Sequence, residues 1–230
     1  MTYNTLYLIP ARGGSKGIPH KNIKPLNGKS LILYSVEVAR QLAEDADICV
    51  TTDDDSIIRV VEEAGLIVPF KRPAELATDT SGSYEVILHA LDFYVQKGIE
   101  FDVVVLMQPT SPFRTAQHVK EAMALYDDSL DMVVSVSESA ANPYYSLFEE
   151  NENGFLDKSK KGSFTRRQDC PKVYEFNGAI YVMNVKSLRE TSISKFTKIK
   201  KYEMPRELSI DLDTPLDWMF AEFLMNKNSK

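Results

Sequence analysis

Residues 6–22 read LYLIPARGGSKGIPHKN, and the reading of that stretch decides the fold. Leu6 to Ile9 form a short apolar run with the length and composition of a buried strand, broken abruptly at Pro10. The strand therefore delivers a loop. In that loop Gly13, Gly14 and Gly17 can take positive φ and let backbone N–H groups converge, beside Ser15 and the basic side chains of Arg12, Lys16, His20 and Lys21. Flexible backbone with dense cationic charge is what a polyphosphate needs. A solvated β-to-α connection is the plainer alternative, but so many basic side chains between Pro10 and Asn22 favour anion binding. The loop is neither a P-loop nor a dinucleotide fingerprint, because no G-K-[ST] follows at the right spacing and G-x-G-x-x-G is absent.

Outward from the loop, the apolar positions Leu31, Tyr34, Val38 and Leu42 have a helical period, with Ser30 as a cap. Residues 47–52 then read as a short strand ending in Asp53, Asp54 and Asp55, followed by a helix to Ala64 that Gly65 stops. Strand, glycine loop, helix, strand, helix is the opening of a doubly wound α/β sheet, whose ligands bind beyond the carboxyl ends of parallel strands. Asp55 reads as a helix-start residue, while Asp53 and Asp54 suit either capping or the crevice. A short strand is expected from Leu66. Beyond it Lys71 and Arg72 offer a second basic pair, and Thr80, Ser81 and Ser83 offer hydroxyls or caps at the mouth of a helix from Tyr84 to Lys97.

Residues 101–107, FDVVVLM, have the pattern of a central strand covered on both faces. They end in QPTSPFR, where Gln108, Thr110, Ser111 and Arg114 present donors for a polar, acidic small molecule; Ser111 also suits a turn leading into a helix over 115–126. A strand follows at 131–137. From about 140 to 175 the pattern changes to short apolar pieces flanked by acidic and then basic patches, which reads as an inserted, β-rich arm. A strand from Tyr174 carries Asn177-Gly178, either a cleft feature or a glycine bulge. Another strand is expected at 198–202. Near the end, Asp211 and Asp213 alternate across Leu212, which in an extended chain points both carboxylates to one face, where they repel unless a cation sits between them. Thr214-Pro215 opens a terminal helix, with Asp213 or Thr214 available as its cap.

The whole chain, 230 residues, is expected to be one three-layer, mostly parallel α/β domain, residues 1–230, with its arm at about 140–175. A formal charge of −6 disfavours nucleic acid or an anionic membrane as the main partner. The start lacks a basic leader and its apolar run is far short of a membrane span, so a cytoplasmic location is expected. Cys49 and Cys170 lie far apart with no ligand spacing, which supports neither a zinc site nor a disulfide framework. His20 lies near the phosphates in sequence, while His89 and His118 fall on expected helices as surface residues.

The segment PARGGSKGIPHKN resembles the signature loop of the acylneuraminate cytidylyltransferases, the CMP-sialic acid synthetases. LMQPTSPFR resembles that family's L-x-Q-P-T-S-P-x-R, KRPAELATD its K-R-P-x-x-L-A-x-D, NGAIY its N-G-A-x-Y, and the segment around Asp211 its late D-x-D. The resemblance implies a Rossmann-like nucleotidyltransferase that moves CMP from CTP to the anomeric hydroxyl of a carboxylated nine-carbon sugar. It implies Arg12, Gly13, Ser15, Lys16, Lys21, Asn22, Arg72 and Ser83 around the nucleotide, with Lys21, Arg12 and Asp211 in the chemistry. Gln108, Asn177 and one of Arg166 and Arg167 then hold the sugar, Asp211 and Asp213 hold Mg²⁺, and the arm crosses to the partner of a homodimer. A legionaminic, pseudaminic or KDO-like acid, or another nucleotide, would use the same chemistry, and a sugar-nucleotide-binding regulator is the reading from another class. No general base is named by these residues.

Overall fold

The computed structural model describes residues 3–78 and 81–228. Its centre is a six-stranded sheet in the order β10-β6-β9-β5-β1-β4. The strands are β1 (Thr5–Pro10), β4 (Ile48–Thr51), β5 (Val103–Leu106), β6 (Met132–Glu138), β9 (Tyr174–Asn184) and β10 (Ile199–Glu203). β1 runs parallel to β4 and β5, and β10 parallel to β6; β9 alone is antiparallel to both its neighbours. Every residue of β4 and β5 is buried, which is why those runs are apolar without alternation.

Helices cover both faces. On one side α1 (Leu31–Arg40), α2 (Asp55–Glu63) and α4 (Ala116–Ala124) bury Ile32, Val36, Ile57, Val61 and Val119 in one cluster with residues of β1, β4, β5, β6 and β9. On the other α3 (Ser83–Gln96) and α5 (Val185–Glu190) bury Ile87, Leu91, Tyr94 and Leu188 against Leu6, Leu8, Val104 and Val134. The result is the expected three-layer α/β architecture. A smaller cluster of Ile18, Leu26, Leu31, Leu212, Trp218 and Ala221 ties the glycine loop to α6 (Pro215–Asn228) and to the two-residue strands β2 (Pro25–Leu26) and β3 (Lys29–Ser30).

Local expectations are corrected in several places. Residues 66–70 form no strand: Leu66 is buried but Ile67 is 78% exposed, and pairing beyond β4 is limited to a bridge between Thr52 and Lys71. Helix α5 was not expected; at six residues it is too short to show a period. Ser30 precedes α1 without a side-chain capping bond. His118 is more than a surface residue, since it and Thr115 close a reciprocal capping box on α4. Between β6 and β9 the chain makes one hairpin, β7 (Phe148–Glu150) with β8 (Leu156–Lys158), whose six residues are all exposed.

Candidate active site

The glycine loop leaves the carboxyl end of β1 and is held from two sides. Ala11 N donates to Thr51 O at 3.0 Å, Gly13 N to Asp53 Oδ1 at 3.0 Å, and the buried Asn22 amide to Arg12 O at 3.0 Å. Asp53 thus faces the crevice and fixes the loop, whereas Asp54 caps α2 by accepting from Ser56 N at 2.7 Å. Gly13, Gly14 and Gly17 do not use the positive φ open to them; His20 takes it, at 50°. Gly17 is needed for space rather than for φ, because an ideal Cβ there would lie 2.1 Å from the carbonyl oxygen of Asp213.

That carbonyl belongs to the opposite wall. Leu212 is fully buried in the small cluster, and its N–H donates to Thr110 O at 2.9 Å. The segment is not the extended chain expected from the alternation but bends tightly, with Asp213 N donating to Asp211 O at 3.2 Å. Asp211 and Asp213 nevertheless both line the cavity. Lys21 bridges the walls: its Nζ lies 2.7 Å from Leu212 O and 2.9 Å from Asp213 Oδ1, with only 11% of the side chain exposed. Burial raises the pKa of Asp211, neighbouring Asp213 and Asp217 raise it further, and the Thr110 hydroxyl and Lys21 only partly oppose this. Burial and like charge thus disfavour its ionised form.

The cavity these walls enclose, about 480 Å³, is lined by Arg12, Ser15, Lys16, Lys21 and Asn22 on one side and by Gln108, Thr110, Asp211 and Asp213 on the other. Gly178, at φ 74°, sits where the register of β6 and β9 shifts, and a Cβ there would meet Gln108 Oε1 at 2.7 Å. It is a bulge and a cleft feature at once. A larger open hollow, about 980 Å³, lies at the amino end of β1. We assign the site to the smaller one, because it holds the converging cations and lies beyond the carboxyl strand ends.

Other expected residues sit elsewhere. Arg72 is buried, its guanidinium donating to Thr51 Oγ1 at 3.2 Å, to Thr51 O and to Leu76 O at 3.4 Å. Ser83 opens α3 away from the cavity lining, and Thr80 lies outside the described residues. Asn177 is consumed internally, accepting from Ser135 Oγ at 2.6 Å and donating to Ser209 Oγ at 2.9 Å. Arg166 grips Asp169 with two bonds, at 2.8 and 2.9 Å, and neither it nor Arg167 lines this cavity. Arg114 is not available to a ligand: it is 3% exposed, and its guanidinium donates to Gln108 O at 3.0 Å and Ala179 O at 2.7 Å. Ser111 is fully buried. Among the described residues no group of three or more His, Cys, Asp or Glu could hold a metal. A pair of carboxylates facing a cationic loop fits Mg²⁺ all the same, since that ion is usually held by one or two carboxylates plus substrate phosphates.

A CMP:2-keto-3-deoxy-manno-octonic acid synthetase solved with CTP superposes with a TM-score of 0.71, covering 97% of this chain and 99% of the other at 20% identity, which speaks for the fold. A CMP-N,N'-diacetyllegionaminic acid synthase of Legionella pneumophila is 33% identical over 227 residues, 98% of this chain and 97% of that protein. An N-acylneuraminate cytidylyltransferase of Streptococcus agalactiae is 37% identical over 217 residues, and there this chain spans about half, 51%, of the relative's length. The family model described as Cytidylyltransferase matches residues 6–227, so the chain belongs to the cytidylyltransferase family.

Proposed function

We propose that the enzyme transfers CMP from CTP to the anomeric hydroxyl of a nonulosonic acid of the N-acylneuraminate type. The anomeric oxygen bonds to the α-phosphorus, the bond from that phosphorus to the β-phosphate bridging oxygen breaks in line, and pyrophosphate leaves with the hydroxyl proton released. Positioning and charge neutralisation supply most of such a rate. Arg12, Lys16 and Lys21 neutralise the phosphates, Ser15 and the loop N–H groups bind their oxygens, and Asn22 fixes the loop. Lys21 exchanges its Asp213 carboxylate partner for phosphate as CTP enters. Gln108 orients the sugar. Asp211 and Asp213 would hold Mg²⁺, which when bound neutralises phosphate oxygens and lowers the pKa of a coordinated hydroxyl. Arg72 acts indirectly, by stiffening the Thr51 strand end that anchors the loop.

The observation that carries this reading is the convergence of the cationic glycine loop and the acidic pair on one cavity beside Gln108. The full-length likeness to a legionaminic acid enzyme favours a second reading in which that acid is the acceptor. Arg166 or Arg167 reaches the acceptor carboxylate from a partner subunit, and the exposed Phe148, Phe155 and Leu156 of the hairpin support a homodimer. Light scattering on the purified chain measures that assembly, and a monomer at micromolar concentration would remove it. The function is tested by pyrophosphate release with CTP and Mg²⁺ against a panel of nonulosonic acids, with the other nucleotides as controls. Release with one acid and CTP fixes donor and acceptor together. Silence across the panel, in folded protein that binds CTP, overturns the catalytic reading.

A further inference from the structure

The acidic segment is pinned at more points than two metal-binding side chains need. Asp217, on the first turn of α6, accepts from Thr214 N at 2.7 Å, Thr214 Oγ1 at 2.8 Å and Asp213 N at 3.2 Å, all on one carboxylate oxygen. In return Asp217 N donates to Thr214 Oγ1 at 3.3 Å. The exchange with Thr214 alone is ordinary helix capping. The bond to Asp213 N goes one residue further upstream, outside the helix, to a residue whose side chain lines the cavity. The Asp213 N–H is thereby shared between Asp211 O and the Asp217 carboxylate, each at 3.2 Å, while its own carboxylate is held by Lys21 at 2.9 Å.

We propose that Asp217 is a positioning residue for the reaction: it holds the main chain of Asp213 so that both carboxylates of the Asp211–Asp213 bend face the cavity as a divalent cation requires. The role rests on reading Asp211 and Asp213 as the residues that hold that cation. Groups that orient metal-ligating side chains are commonly worth 10–100-fold in metal affinity or activity.

The test compares Asp217→Ala, Asp217→Asn and Asp211→Asn with the natural chain. Three quantities are read: the half-saturating Mg²⁺ concentration for pyrophosphate release, the spin-resonance spectrum of Mn²⁺ in the protein–CTP complex, and the thermal midpoint. Asp217→Ala is expected to raise half-saturating Mg²⁺ at least about tenfold at unchanged KM for CTP, and to alter the Mn²⁺ spectrum. Asp217→Asn, whose amide oxygen can accept the same N–H bonds, is expected to return within about threefold of the natural value. A folded Asp217→Ala protein with a lowered midpoint but unchanged Mg²⁺ dependence overturns the proposal, as does an Asn variant no better than Ala. If Asp211→Asn also leaves the Mg²⁺ response untouched, the cation reading itself falls and the positioning role with it. Loss of the response in Asp211→Asn alone removes only the positioning role.

Discussion

Substituting Gly17 by Ala probes the meeting of the two cavity walls. The ideal Cβ would stand 2.1 Å from the Asp213 carbonyl oxygen, which is backbone and cannot rotate away. Restoring a 3.4 Å contact requires the glycine loop and the Asp211–Asp213 bend to part by about 1.3 Å. Misplacing reacting groups by about 1 Å costs on the order of 10²-fold in rate, and overpacking costs roughly 1–3 kcal/mol in stability. Gly14 is the internal control, since a Cβ there meets nothing within 4 Å. Steady-state pyrophosphate release should therefore fall about 100-fold in kcat for Gly17→Ala and stay within about threefold of the natural chain for Gly14→Ala. Both proteins are to be checked for folding by circular dichroism. Equal activities in two folded variants would refute the argument that the walls must touch here.

Lys21→Ala should lower kcat by about 10²–10³-fold at saturating substrates, as expected for a group that meets developing charge in a water-poor site; near-normal turnover would exclude that role. The pKa of Asp211 is raised in the folded state, so folding favours its protonated form relative to the unfolded chain, and that contribution to stability is lost as pH rises through the raised value. Asp211→Asn should then raise the thermal midpoint at neutral pH, with the gain vanishing below the ordinary Asp range of about 4, while turnover is abolished; melting curves across pH decide this. Arg72→Ala should cost on the order of 1–3 kcal/mol in urea unfolding, because it strips donors from buried Thr51 groups. Arg167→Ala should raise KM for the acid more than Arg166→Ala does, since the Arg166 fork is already taken by Asp169; equal effects in saturation kinetics would contradict this.

Strands β1, β4 and β5 were legible because burial on both faces writes an unbroken apolar run, and the cationic loop because charge and glycine are concentrated within one short stretch. The run from Leu66 looked the same locally, yet a strand also needs a partner, and only Lys71 finds one. Composition marks a glycine but not its reason: Gly17 answers to a carbonyl some two hundred positions away, and no local pattern shows that distance. The same holds for Arg114, a donor-bearing side chain in a polar motif that the fold turns inward to hold Gln108 and Ala179 by their carbonyls. Asp211 and Asp213 both line one cavity, yet through a bend rather than the extended geometry that the alternation suggests. Asp53 and Asp54 could be separated only once the glycine loop had a position in space.

The antiparallel strand β9 lies between β5 and β6, so it joins two blocks of sheet that share no other pairing among the described residues. During synthesis β1, β4 and β5 emerge long before it. Until β9 docks, the Val103–Leu106 edge is an open row of backbone donors and acceptors with apolar side chains, the kind of edge that recruits other chains. The nascent protein is therefore most at risk of aggregating over the interval in which residues 107–173 are made. A fragment of residues 1–140 should sediment as aggregate, and addition of a β9 peptide in trans should lessen it.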